Sequence, residues 1–353
     1  MKEMDYFARH DRVMDRRAFL RLSGILGLGM ASACIIPATA EAVKFNKEMY
    51  KVSKTRMAMG TIVSITLIHN SRDKAEEAIG RAYDEVDRLT GLLNRYETSS
   101  AVALLNREGY IQNVPPEVSL VILKALDYHR FSRGVFDISV KPVVDLFREK
   151  FAGKKKTAPT EKELKQALEL VDSNKIEMKE GIIRFKKPGM GITLDGIAKG
   201  YIVDKASKIL AKHSIRNYLI NAGGDIRTMG ARADKKPWTV AIQDPFKKNN
   251  YPDIIHMRDG AVATSGNYEI YFDKEKMFHH IVNPRTGHSP NFSTSVSVMA
   301  PTTMEADALS TSVFVMTPVK GTEFINSLPH CESMVVAKGG VQLKSRGWKI
   351  GAK

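Results

Sequence analysis

Met334-Val335-Val336-Ala337-Lys338-Gly339-Gly340-Val341-Gln342-Leu343 reads as two short apolar runs around a glycine-bearing turn, the mark of a β-hairpin. Upstream of it, strand-like runs recur at Ile182 to Phe185, Ile192 to Leu194, Tyr218 to Ile220, Trp238 to Ile242, Tyr268 to Phe272, Phe278 to Val282 and Val296 to Met299. Helical spacing interrupts them at Ala198 to His213 and Thr303 to Val315. Hairpins with inserted helices predict an α+β fold rather than a regular βαβ repeat. No repeat of about 20 to 50 residues is visible.

The N-terminal half is more helical. Met57 to Ile68 alternates like a strand, with Val63, Ile65 and Leu67 on one face. After the cap candidate Ser71, Ala75, Ala78, Ile79, Ala82, Val86, Leu89 and Leu93 recur at three- and four-residue spacing and predict a long helix with those side chains in the core. A second helix is expected from Pro116 to Arg130. A third starts at the capping box Thr160-Glu161-Lys162-Glu163, with Leu164, Ala167, Leu168 and Val171 as its buried stripe. The lysine-rich stretch from Gly153 to Pro159 reads as a loop. The chain has 353 residues, 43% hydrophobic and 26% charged, which suits a large folded domain and argues against disorder.

The first 40 residues have a different character. Asp15-Arg16-Arg17-Ala18-Phe19-Leu20-Arg21 precedes an apolar, glycine-rich run from Leu22 to Ile36, the pattern of a twin-arginine export signal. That run of about 15 residues is shorter than the ~20 that span a bilayer. Ala38-Thr39-Ala40 offers a cleavage site, and Ala31-Ser32-Ala33-Cys34 resembles a lipoprotein box that would anchor the chain through Cys34. With cleavage near Ala40 only Cys331 remains, so no intrachain disulfide is expected. The expected organisation is an export signal over 1–40, a linker over 41–56 and one large domain over 57–350, located in the periplasm. Net charge is +15, and the signal contributes only two of those units. The basic residues are scattered without interleaved aromatics, so a membrane surface, an acidic partner or a phosphorylated substrate is expected, and not nucleic acid.

Several stretches carry more polarity than folding requires. Gly191-Ile192-Thr193-Leu194-Asp195-Gly196-Ile197-Ala198-Lys199-Gly200-Tyr201 runs from a strand through glycine into a helix start, where free amides and Lys199 suit phosphate oxygens. Its glycine spacing fits neither a Walker loop nor a dinucleotide fingerprint. Asn221-Ala222-Gly223-Gly224-Asp225 ends another strand in two glycines, which allow close backbone approach. Either stretch reads equally as a plain turn. Asp307 and Thr311, four apart on one helix face, are hard oxygen donors suited to Mg²⁺; helix-terminus decoration is the other reading. No Cys/His set has zinc spacing. In Phe278-His279-His280-Ile281-Val282-Asn283-Pro284-Arg285-Thr286-Gly287, a regular strand would point the two imidazoles to opposite faces, so one of them faces a given pocket. Tyr96, after the first long helix, offers a stacking surface or simple packing.

Taken in order, Ala58-Met59-Gly60-Thr61, Asn94-Arg95-Tyr96 with Leu105-Asn106, Gly134-Val135-Phe136-Asp137, Leu194 to Tyr201, Asn221 to Asp225, Thr264-Ser265-Gly266, His280 to Gly287 and Ala306-Asp307-Ala308-Leu309-Ser310-Thr311 resemble the ApbE family of flavin transferases. The resemblance covers roughly Met57 to the C-terminus. It implies a T-fold-related arrangement of antiparallel sheets with packed helices. It also implies transfer of FMN from FAD to a Thr or Ser hydroxyl of a target protein, with Mg²⁺ assisting and AMP released. Met59, Tyr96, Val135, Phe136, Asp137, Thr193, Lys199 and Ile281 then surround FAD. Gly196 through its carbonyl, Asp307 and Thr311 hold the metal. His280, rather than His279, takes the family's histidine position and, with Lys199, would serve catalysis. The implied partner is an acceptor protein of a membrane redox complex or an FMN-binding domain. Many members carry Asp where this chain has Thr193 and Asn283. An FAD pyrophosphatase and a flavin carrier are the rival readings.

Overall fold

The computed structural model describes residues 41–44, 49–152, 157–246, 251–267 and 279–348, all within the unit Thr39–Lys353. The expected export signal, Cys34, most of the lysine-rich loop and the strand expected from Tyr268 to Phe272 lie outside these residues.

The chain opens with strands β1 (Glu41–Lys44), β2 (Tyr50–Ala58) and β3 (Thr61–His69), then helices α1 (Arg72–Leu93) and α2 (Ala101–Glu108), the short β4 (Tyr110–Ile111), α3 (Pro116–Phe131), α4 (Lys141–Ala152) and α5 (Glu161–Leu168). It continues with β5 (Ile176–Lys179), β6 (Ile182–Phe185), α6 (Ala198–Lys212), β7 (Tyr218–Ala222), β8 (Asp225–Met229), β9 (Trp238–Ala241), β10 (Ile254–Met257) and β11 (Gly260–Gly266). The last elements are β12 (Ser293–Ala300), α7 (Thr303–Val315), α8 (Pro318–Asn326), β13 (Glu332–Ala337) and β14 (Gln342–Lys344). A nine-stranded sheet runs β1-β2-β3-β7-β8-β11-β12-β13-β14, with a β9/β10 pair and a β4-β6-β5 sheet beside it. Neighbouring strands are antiparallel in each, as the α+β reading requires.

Alternation decides which side each strand buries. In β3, Val63, Ile65 and Leu67 pack with Ile79 and Leu89 of α1 and Tyr201 and Leu210 of α6. Farther along the sheet, Ala261 and Ala263 of β11 pack under Leu309, Val313 and Phe314 of α7. Val262, between them, turns to the opposite face and meets Val240 and Ile255 of the β9/β10 pair. Helix α7 is buried nearly all round, so Asp307, which it carries toward the cavity described below, is buried, while Thr311 one turn on is partly exposed. Helices α6 and α7 cap each other: Asp204 of α6 accepts from the N–H groups of Thr303 and Met304 at 2.9 Å each, and Asp307 of α7 accepts from Gly200 N–H at 3.0 Å. Each carboxylate satisfies amides that a helix start leaves without intrahelical partners.

Three expectations need correction. Residues 41–56 are not a linker: Tyr50 to Arg56 pairs with β3 and Glu41 to Lys44 pairs with β2. The lysines and arginine of β2 mask the strand, because within Tyr50 to Ala58 only Val52 is buried. The single strand expected over Met57 to Ile68 is interrupted by a tight turn at Met59 (φ 52°) and Gly60 (φ 70°), both in the left-handed region that two-residue hairpins favour. Neither Ile192 to Leu194 nor His279 to Val282 forms a regular strand. Ile192 is held instead by the Asn106 amide, which accepts its N–H at 2.7 Å and donates to its carbonyl at 2.9 Å. Ser289 holds His279 in the same two-sided way, at 2.9 Å each.

Candidate active site

Two hairpin tips and two helix starts converge. Gly223 and Gly224 turn between β7 and β8 with φ of 59° and 97°. A Cβ on Gly223 would lie 2.3 Å from Thr61 Oγ1, so the Met59-Gly60 tip rests directly on this turn. Asp225, the first residue after it, is buried and lies 3.4 Å from the Lys199 ammonium in the first turn of α6.

Next to this pair is a cavity bordered by Val135, Phe136, Asp137, Thr193, Asp195, Gly196, Lys199, Asp225, Ser265, His280, Ile281, Asp307 and Thr311, among others. Residues more than 150 positions apart in the sequence, Val135 and Asp307 among them, thus share one wall. Its volume of about 100 Å³ is small beside the ~300–1,000 Å³ of pockets that enclose a whole ligand.

The electrostatics are uneven. Burial pushes the Asp307 carboxyl well above the usual carboxylate range, and neighbouring Asp225 pushes it further; Lys199 and the Gly200 amide work in the other direction. Gly196 approaches Thr311 so closely that a Cβ would sit 2.9 Å from Thr311 Oγ1. Ser265 Oγ lies 2.9 Å from Ser310 Oγ and 3.3 Å from Thr311 Oγ1, fixing that hydroxyl from the strand side. A buried carboxylate under repulsion, a fixed hydroxyl and a close backbone loop form an oxygen-only corner, and that donor set suits Mg²⁺ that retains waters and phosphate ligands. Among the described residues no group of three or more His, Cys, Asp or Glu side chains is placed to hold a metal.

The two histidines separate although no regular strand alternates them. His279 is buried against Phe314, ring centroids 5.5 Å apart, with Nε2 3.0 Å from the Pro290 carbonyl. His280 borders the cavity.

The residues expected to surround FAD divide. Val135, Phe136, Asp137, Thr193, Lys199 and Ile281 border the cavity; Met59 and Tyr96 are not among its lining residues. Met59 sits on the adjoining hairpin tip. Tyr96 is 53% exposed and lies against the Arg95 and Arg148 guanidinium groups, 4.5 and 4.6 Å from its ring centroid. Arg95 connects it to the cavity through Asp195, 3.6 Å away. The Asp137 carboxylate is bonded within the protein, accepting from Ser139 N–H at 2.7 Å and Ser173 Oγ at 2.7 Å, with His129 Nδ1 at 3.2 Å. It therefore braces the cavity wall. Asp195, Asp225 and Ser265 complete the site without having been singled out. Their signal was positional, since each lies within or directly after a glycine turn or at a strand end.

Comparison with known proteins places the chain among described relatives. The ApbE family profile matches residues 59–335. FAD:protein FMN transferases from Haemophilus influenzae and Treponema pallidum are each 28% identical to this chain, covering 86% and 80% of it and 89% and 84% of their own lengths. The crystal structure of the ApbE protein from Thermotoga maritima superposes with a TM-score of 0.76 at 28% identity, over 84% of this chain and 97% of that one. The flavin transferase ApbE from Vibrio cholerae shares the fold at a TM-score of 0.74 and 24% identity, over 88% and 99%. With a family match spanning most of its length, this chain belongs to the ApbE family of enzymes.

Proposed function

We propose that this enzyme transfers FMN from FAD to a Thr or Ser hydroxyl of a target protein through a phosphoester bond and releases AMP. The observation that carries this reading is the convergence of Lys199, His280, Asp307, Thr311 and the Gly196 loop on one cavity. The relatives' activity points the same way.

In this reading Lys199 attracts the diphosphate, and Asp225 fixes its ammonium. His280 accepts the proton of the acceptor hydroxyl as that oxygen bonds to the FMN-side phosphorus. The bond from that phosphorus to the bridging oxygen breaks, and AMP leaves with the electron pair. Asp307, Thr311 and the Gly196 carbonyl would hold Mg²⁺, which supplies charge neutralisation at the diphosphate. The walls formed by Val135, Phe136 and Ile281 keep water from competing with the hydroxyl.

We also propose export to the periplasm, on the twin-arginine pattern of the first 40 residues. Among the described residues no helix is long and apolar enough to cross a membrane.

The test is incubation with FAD, Mg²⁺ and a Thr-bearing acceptor protein, followed by intact-mass measurement. A gain equal to one FMN phosphoester, lost in His280→Ala, is expected. FMN and AMP released with an unmodified acceptor would replace transfer by hydrolysis. FAD bound and intact after hours would mark a carrier.

A further inference from the structure

A second cavity, of about 470 Å³, lies behind the Asp137 wall and is bordered by Arg130, Arg133, Asp172, Pro284 and Arg285. Its two edges are the turn after α3, which leads into Val135 to Asp137, and the Pro284-Arg285 turn, which begins four residues after His280. Both edges therefore run straight into the reaction cavity.

The charge here is not balanced from within. Asp137 is committed to His129, Ser139 and Ser173. Asp172 accepts from the Asn174 N–H and side-chain amide at 3.0 Å each and faces Lys175 at 3.3 Å. Arg130 pairs with Asp127 at 2.6 Å. Arg285 donates to the Arg133 carbonyl at 2.6 Å, and neither Arg133 nor Arg285 pairs with a carboxylate among the described residues. Among the described residues no aromatic ring other than His129 lines the cavity, so these residues offer a flavin or adenine little to stack on. Guanidinium forks without a carboxylate are suited to receive one.

We infer that this cavity docks an acidic stretch of the acceptor protein, with Arg133 and Arg285 binding carboxylates that flank the acceptor hydroxyl. The inference rests on the protein-transferase reading above and adds the chemistry of the partner. An extended segment anchored there presents its hydroxyl toward His280.

The probes are a fluorescein-labelled decapeptide with a central Thr and Asp on both sides, and the same peptide with Asn for each Asp. By fluorescence anisotropy the enzyme should bind the Asp peptide at least tenfold tighter. Arg133→Gln should reduce that preference severalfold, and Arg133→Gln with Arg285→Gln should abolish it, while FAD affinity from flavin fluorescence changes less than twofold. Equal binding of the two peptides overturns the inference, as does a preference that survives both substitutions. A tenfold loss of FAD affinity in the double variant also overturns it, by assigning the arginines to the nucleotide. Acid-dependent docking without FMN transfer to any acceptor would leave the docking site standing and remove the transferase reading instead.

Discussion

Gly196 and Thr311 stand so close that a single added methyl group at 196 would meet the threonine hydroxyl at 2.9 Å and its methyl at 3.1 Å. Gly196→Ala therefore has to displace Thr311 from its contact with Ser265. The overpacking cost is about 1–3 kcal/mol, which the surrounding core can absorb. We expect a folded protein whose flavin transfer needs at least tenfold more Mg²⁺ for half-maximal rate. A titration curve superposable on the wild type would remove Gly196 and Thr311 from the metal corner.

Asp307 is buried beside a second carboxylate, Asp225, and both disfavour its charge. Asp307→Asn keeps an oxygen to accept the Gly200 N–H and removes that repulsion. The apo variant should melt at a higher temperature than wild type. Saturating Mg²⁺ with FAD should stabilise wild type by about 2.7 kcal/mol at a hundred times the dissociation constant and the variant hardly at all. Equal ligand-induced shifts in calorimetry would contradict a metal role for Asp307.

Local signals made much of this molecule readable, and long-range ones did not. Helix α1 begins where Ser71 caps it, with the Ser71 hydroxyl accepting from Lys74 N–H, and buries the residues its spacing named. The Lys338 to Gly340 turn joins β13 and β14 as expected. Helices α2, α4 and α8 escaped notice, though Ser100 before α2 and Thr317-Pro318 at α8 were available start signals; α4, entered directly from a 3₁₀ turn, has no capping residue of its own to mark its start. Residue identities at the site came from ordered motifs. What no motif contains is that Asp204 and Asp307 cap each other's helices, or that Asp137 spends its oxygens on Ser139, Ser173 and His129. Those depend on contacts between distant segments.

His129 and Asp137 make stability depend on pH. The imidazole pKa is raised, chiefly by its bond to Asp137 and against burial. The carboxyl is affected most by burial, which raises it, but bonds from His129, Ser139 and Ser173 outweigh that and lower it. The histidine's contribution is complete below its unfolded value near pH 6.5 and is lost as pH rises through the folded value. The aspartate's is complete above about pH 4 and is lost as pH falls through its lowered folded value. The melting temperature should therefore fall between pH 6 and the alkaline side of the raised imidazole value, at up to ~1.4 kcal/mol per tenfold change in proton affinity. His129→Gln should flatten that fall. Identical slopes in the two proteins would show that the pair does not titrate in this range.

Gly200 and Gly80 should respond to alanine with opposite signs. At Gly200 a Cβ would lie 2.4 Å from the Thr303 carbonyl oxygen and 2.8 Å from Met304 Cα, backbone atoms at the start of α7. No rotamer change relieves that contact, so α6 and α7 must separate. Separation strains the Gly200 bond to Asp307 and the Asp204 cap on α7. Gly200→Ala should lose about 1–3 kcal/mol in urea unfolding and, because Asp307 moves with α7, should also lose stabilisation by Mg²⁺ and FAD. Gly80, within α1, has nothing within 4 Å of a built Cβ, and Gly80→Ala should gain roughly 0.5–1 kcal/mol from reduced chain entropy in the unfolded state with its ligand response intact. If Gly200→Ala proves as stable as Gly80→Ala, the close crossing of the two helix starts does not hold the metal corner in place.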